Sequence, residues 1–423
     1  MTIFVLLSAL VSLAALFSFA SHRLLRLPTS VGVMLLSLGG STLLILVGRA
    51  APEVHRAAEF VIGRIDFPQV VLHGMLGLLL FAGALHLDLA HLTKLKVPVL
   101  SLAIVSTGLS TILVAALLKG ILGLVSLPAD SLSCLLFGAV ISPTDPIAVL
   151  EMLRRVGAPR SLETQLAGES LLNDGVGAVL FLSLLDASAH GGLPRLSQLA
   201  TLFLLEAGGG IVLGVFLGYM TYRLLLLVDS YRVEVMMTLA LAMGGYALAD
   251  VLGVSAPLEA VAAGLLLSGR GRLLSMSEVT RTHVDTFWEL VDDILNVLLF
   301  LLLGLQLLVM PWELHYLYAG LLAIPAVLLA RWISVGSVVG ALRAVHRPAR
   351  GTILILTWGG LRGALSIALA LSLAEGQARN QLLAITYVVV VFSIVAQGLT
   401  IGPLLSRLGL VAGGKRVALY LSL

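Results

Sequence analysis

The chain has 423 residues, of which 59% are hydrophobic and only 12% charged, about half the charged share of a soluble domain. A chain this apolar cannot hide its side chains in a water-soluble fold, and its apolar residues come in long runs of the kind that span a bilayer as helix. A single cysteine, Cys134, excludes an internal disulfide, and a net charge of +3 says less about partners than the placement of the charges does.

The first apolar run, near 2–20, has no basic residue ahead of it; Arg23 and Arg26 follow it. A cleaved signal peptide carries its positive charge first, so this run predicts a retained helix that enters with its N-terminus outside. Twelve further spans are predicted near 27–47, 68–88, 97–123, 131–153, 163–186, 198–228, 233–250, 256–269, 285–309, 313–340, 350–373 and 381–406. The span at 256–269 is short and is expected to cross at a break or only in part. Lys and Arg concentrate in cytoplasmic loops. With the N-terminus outside, eighteen of the 26 cations fall on the cytoplasmic side and six outside, while Arg331 and Arg362 lie within spans. The split predicts an odd number of spans and a cytoplasmic C-terminus in a multi-pass protein of the cell's inner (plasma) membrane. About 17 residues follow the last span, too few to build a core, so a short cytoplasmic tail is expected at 409–423.

Charge in the middle of a span costs roughly 2.5–3.5 kcal/mol even on lenient scales. Along the chain, the acids and bases so placed are Asp145, Glu169, Asp174, Glu206, Glu259 and Arg362, with Asp292 and Asp293 nearer a span end. Ser142-Pro143-Thr144-Asp145-Pro146 puts two prolines three residues apart inside an apolar stretch. Each removes a backbone donor and clashes with the preceding turn, so a broken helix is predicted. A plain proline kink would explain the prolines but not Asp145 at the break. Freed carbonyls beside a carboxylate make a cation site, and broken helices at membrane depth occur where they line a cavity.

In Gly168-Glu169-Ser170-Leu171-Leu172-Asn173-Asp174-Gly175, Glu169 with Asn173 and Ser170 with Asp174 are two i, i+4 pairs, so all four lie on one side of a helix. Interhelical hydrogen bonding needs no carboxylates. Carboxylate, hydroxyl and amide oxygens do suit a hard cation. Trp358-Gly359-Gly360-Leu361-Arg362-Gly363 carries three glycines that weaken the helix, and Arg362 needs a partner, for which Glu169 is the natural candidate. A purely structural ion pair is the alternative. The two interrupted spans are each the middle of a three-span group, 97–186 and 313–406, and the groups enter the membrane from opposite sides. Matching broken spans in inverted halves point to a transporter site at mid-membrane.

The stretches SPTDPIAVL, GESLLNDGVG and WGGLRGALSIALAL, in this order, resemble the monovalent cation:proton antiporters of the sodium/proton exchanger branch. FAGALHLDL at 81–89 and FWELVDDILNVLLFLLLGL at 287–305 look like further family segments. The resemblance implies an all-α polytopic protein of about 13 transmembrane helices, with inverted repeats and two crossing discontinuous helices. It implies a homodimer in membrane lipid, a dimerisation scaffold at 1–90 and 198–309, and a core ion-transport domain at 97–187 and 313–408. Asp174 would bind either cation or proton, and Ser170 and the Thr144 carbonyl would ligate Na+. Glu169 would complete the site and hold Arg362. Asn173 would fasten the broken helix to its neighbour, and Asp145 would balance the helix ends, with Pro143, Pro146, Gly359 and Gly360 shaping the breaks. An Asn-Asp pair such as Asn173-Asp174 is similar to the electroneutral branch. One departure stands at Ala82, where the family usually has an acidic residue.

On this reading sodium, or lithium, and the proton compete for Asp174, and no cofactor, enzymatic activity or nucleic-acid partner is expected. Two rivals keep the architecture: a potassium/proton antiporter and a cation channel. An intramembrane hydrolase would need a base near Ser170, and no histidine or lysine lies in that span. Asp292 and Asp293 are expected in a cytoplasmic funnel, and Glu206 and Glu259 at a domain interface or among waters.

Overall fold

In lipid the backbone must satisfy its own polar groups, which makes helix the only course open to runs this apolar. The structure, a computed structural model, describes residues 3–25, 27–48, 51–128, 130–189, 196–269, 277–343 and 351–409. Its helices in chain order are α1 (Phe4–Leu25), α2 (Thr29–Gly48), α3 (Pro52–Ile62), α4 (Gln69–His86), α5 (Leu89–Lys94), α6 (Lys96–Leu124), α7 (Ser131–Ile141), α8 (Ile147–Val156), α9 (Arg160–Ala189), α10 (Leu196–Leu225), α11 (Tyr231–Val251), α12 (Ala256–Leu267), α13 (Glu278–Leu305), α14 (Leu314–Leu342), α15 (Thr352–Trp358), α16 (Ala364–Leu371) and α17 (Gln377–Arg407).

Among the described residues, ten of these helices are long and apolar enough to cross a membrane. The other three expected spans are the short α12 and the two broken pairs, α7/α8 and α15/α16. At 1.5 Å per residue α12 is about 18 Å long, well under the thickness of a bilayer core. Its ends are tied to neighbours instead. The Ser255 N–H donates to the Glu206 carbonyl at 3.0 Å, and Ser268 Oγ donates to the Leu87 carbonyl at 2.6 Å. The expected tail beyond Gly409 and several loop cations, among them Arg26, Arg270 and Arg350, lie outside the described residues.

Small residues let the helices approach closely, as membrane helices require in the absence of a hydrophobic drive between them. Gly210, Gly214 and Gly218 form a seam along α10 against α12, where a Cβ on Gly218 would sit 3.3 Å from the Ala263 Cα. The α4, α11, α12 and α13 helices enclose one apolar cluster around Phe81 and Trp288, whose ring centroids are 4.8 Å apart. A larger cluster joins α6–α9 and α14–α17 to α2 and α13. The outer faces of α1 and α10 carry exposed Phe4, Leu16, Phe19, Leu204, Val212 and Phe216. Such faces suit lipid.

Candidate ion-binding site

The prolines end α7 and delay α8, leaving residues 142–146 without helix. The glycine-rich run leaves residues 359–363 in the same state between α15 and α16. The two breaks meet: the Asp145 N–H donates to the Leu361 carbonyl at 2.9 Å. The approach is close enough that a Cβ on Gly363 would overlap the Asp145 carboxylate, and one on Gly360 would lie 3.1 Å from the Thr144 methyl. Space demands glycine at 363 and leaves little room for a side chain at 360.

The α9 helix runs past the first break and holds it by three bonds. The Thr144 N–H donates to Asn173 Oδ1 at 3.1 Å, and Asn173 Nδ2 donates to Thr144 Oγ1 at 2.9 Å. One turn away, Ser170 Oγ donates to the Thr144 carbonyl in a short contact. Ser170, Asn173 and Thr144 are all buried. Asp145 stays within its own break, its Oδ1 accepting from the Ile147 N–H at 3.1 Å.

A cavity of about 860 Å³ reaches this crossing. Pro143, Thr144, Asp145, Pro146, Ser170 and Asp174 line its inner end, and Asp292, Asp293 and Asn296 of α13 line its wall. Its mouth carries Glu151, Arg154 and Glu289. Carboxylates outnumber the single arginine in this lining, so its field favours cations. Asp292 and Asp293, expected in a funnel, both line this cavity. Glu206 and Glu259 are elsewhere, on α10 and α12; Glu259 is fully buried between α10, α11 and α12.

The expected pairing of Glu169 with Arg362 is corrected. Glu169 Oε1 accepts a short hydrogen bond from Arg331 Nη2, in an ion pair whose side chains are each 1% exposed. Arg331 sits on the unbroken helix α14 and also approaches the Leu356 carbonyl at 3.5 Å. Arg362 takes a different task, donating through Nη1 to the Gly360 carbonyl at 3.0 Å and to the Pro143 carbonyl at 3.5 Å. It thus covers one freed carbonyl from each break. The signal that pointed to Arg331 was its position inside a span, where a cation needs a partner; no motif marked it. Ala82 is fully buried in the apolar cluster of Phe81 and Trp288.

Two inverted three-helix groups, each with a broken middle element, and a carboxylate where the breaks cross define a secondary transporter of the crossed-helix kind. Known proteins agree. The sequence profile of the transmembrane sodium/hydrogen exchangers matches residues 8–407, and the chain belongs to that family. It is 45% identical over 410 residues to the Na(+)/H(+) antiporter NhaP of Pseudomonas aeruginosa, covering 95% of this chain and 96% of that one. It is 34% identical over 401 residues to the Na(+)/H(+) antiporter NhaH of Halobacillus dabanensis, covering 93% and 94%. The solved structure of the sodium proton antiporter MjNhaP1 of Methanocaldococcus jannaschii shares the fold, with a TM-score of 0.73 at 19% identity over 96% of this chain and 99% of that one.

Proposed function

We propose that this chain is a secondary antiporter that exchanges sodium for protons across the membrane at a single site built around Asp174. One observation carries the reading: Asp174, Ser170 and Thr144 line the inner end of one acidic cavity, at the crossing of two helix breaks. The relatives' names supply the ions. Ser170 Oγ, the Thr144 carbonyl and the Asp174 carboxylate are the sodium ligands, all of them the oxygen donors a hard cation prefers. A cation favours the ionised carboxylate and a proton removes it, so the site holds one or the other.

Loaded states alone cross between the two faces, because a bare carboxylate is costly at membrane depth. Asn173 adds no charge beside Asp174, and its amide is spent on Thr144. One proton against one sodium then moves no net charge, and the proton gradient drives sodium out of the cell. Glu169 with Arg331, and Arg362 on the freed carbonyls, keep the crossing electrically balanced and are not ligands. Asp145 balances the helix ends that face each other there.

The reading extends to the architecture. The core is 97–187 with 313–408, and it moves against a scaffold of 1–90 with 198–309. A homodimer in lipid is supported by the apolar outer faces of α1 and α10. The loop charges support an N-terminus outside, a C-terminus in the cytoplasm and a place in the inner membrane. That orientation puts the cavity mouth at Arg154 on the cytoplasmic side.

The test is transport in liposomes with an acid interior, followed by a pH-sensitive dye after addition of sodium, lithium or potassium outside. Sodium is expected to alkalinise the lumen, and Asp174→Asn is expected to abolish the response. Clamping the potential with potassium and valinomycin should leave the sodium response unchanged. A response to potassium alone would change the substrate, and sodium exchange retained in Asp174→Asn would sink the proposal.

A further inference from the structure

The break between α15 and α16 frees backbone groups at a depth where water is scarce, and such groups must be satisfied by other parts of the protein. Arg362 and Asp145 account for two of them, the Gly360 and Leu361 carbonyls. Two more, the Trp358 carbonyl and the Arg362 N–H, are answered from behind by α17. Gln397 Nε2 donates to the Trp358 carbonyl at 2.9 Å. Gln397 Oε1 accepts from Ser393 Oγ at 2.7 Å, and Ser393 Oγ accepts from the Arg362 N–H at 3.0 Å. The chain of bonds runs unbroken from one lip of the break to the other. Each of the two residues must donate one bond and accept another, which the amide at 397 and the hydroxyl at 393 both do. Ser393 is 1% and Gln397 3% exposed. Both lie on a π-helical turn, Ser393–Gln397, a widening that often marks functional positions.

We propose that Ser393 and Gln397 are positioning residues, a staple across the second break that sets the crossing beside Asp174. The mechanical link is direct. The amide that Ser393 holds belongs to Arg362, whose guanidinium reaches the Pro143 carbonyl of the first break, and the preceding residue, Leu361, carries the carbonyl that receives the Asp145 N–H. The staple is to the second break what Asn173 is to the first. Neither residue lines the cavity at Asp174, so the staple acts on the moving frame and leaves the ion ligands alone.

Its role in transport rests on the exchange reading above, so two readouts are taken. Ser393→Ala, Gln397→Leu and the conservative Ser393→Thr are compared with wild type per amount of folded protein, judged by size exclusion and thermal melting. Ser393→Ala and Gln397→Leu are expected to turn over more slowly, on the order of tenfold for a buried group left unpaired. Their apparent sodium KM should stay within about threefold, since the ligands are untouched. Ser393→Thr keeps the hydroxyl and should restore turnover. Deuterium uptake of a peptide covering 358–364 should rise in Ser393→Ala and Gln397→Leu and not in Ser393→Thr. Unchanged turnover with unchanged uptake, or a loss that merely tracks lost folded protein, would overturn the staple. If wild type shows no sodium-coupled flux, the exchange reading has failed, and uptake at 358–364 alone decides the staple.

Discussion

Asn173 holds Thr144 at two points, accepting from its N–H at 3.1 Å and donating to its hydroxyl at 2.9 Å. The break at Pro143 and Pro146 would otherwise orphan the N–H, and burial would leave the hydroxyl without water. Replacing Asn173 with Leu leaves them buried and unpaired, at a cost of about 1–3 kcal/mol for each lost partner. Asn173→Leu is expected to lower the melting temperature and to abolish transport, while Asn173→Gln, with the same groups on a longer stem, loses less stability. Thermal melting in detergent with a sodium titration checks both.

The ion pair between Glu169 and Arg331 is buried and isolated from the cavity. Breaking a buried pair by removing one partner costs about 3–5 kcal/mol, because the remaining charge is uncompensated. Glu169→Gln and Arg331→Gln should each destabilise by that order, and the double variant by much less than their sum. The same double-mutant cycle for Glu169 and Arg362 should show the smaller coupling. A larger coupling to Arg362 would reverse the assignment made from the geometry.

Gly363 lies in extended backbone, φ −111° and ψ −167°, which any residue can adopt. The demand for glycine there is steric, set by the Asp145 carboxylate. Gly363→Ala is expected to cost about 1–3 kcal/mol as overpacking does and to slow exchange by displacing Asp145. Gly244→Ala, where a Cβ meets nothing within 4 Å, is the matched control and should behave as wild type.

Outside the spans, Asp88 caps α5, accepting from the Ala90 N–H at 2.8 Å and from His91 Nδ1 at 2.7 Å. The His91 side chain, then the His91 backbone N–H, hold its carboxyl below the usual value of 3.8. A depressed carboxylate pKa stabilises the fold above the unfolded value and loses that contribution as pH falls through the folded one. The site is half exposed, so the effect is at most about 1 kcal/mol, the worth of a cap. Asp88→Ala should therefore melt lower than wild type at neutral pH, and the two should converge on acidification below about pH 4.

How much of this was legible before the fold was known follows from range. Spans, breaks and the four polar residues on one face of α9 are local matters of hydropathy, proline and helical spacing. They were readable at Pro143, Pro146, Gly359 and Ser170 through Asp174. The crossing of the breaks was implied by the family resemblance, and the bond from Asp145 to Leu361 realises it.

The sequence by itself determined that the chain is a multi-span membrane protein with two interrupted helices and a costly carboxylate beside one of them. Those features depend on neighbours a few residues apart. Only the tertiary structure decided which cation answers Glu169, because Arg331 and Arg362 lie 162 and 193 residues away, one on a helix and one in a break, and nothing local ranks them. It likewise decided that Ser393 and Gln397 close the second break. A serine and a glutamine in an apolar helix declare only that they need partners, and which partners they find depends on how the helices pack.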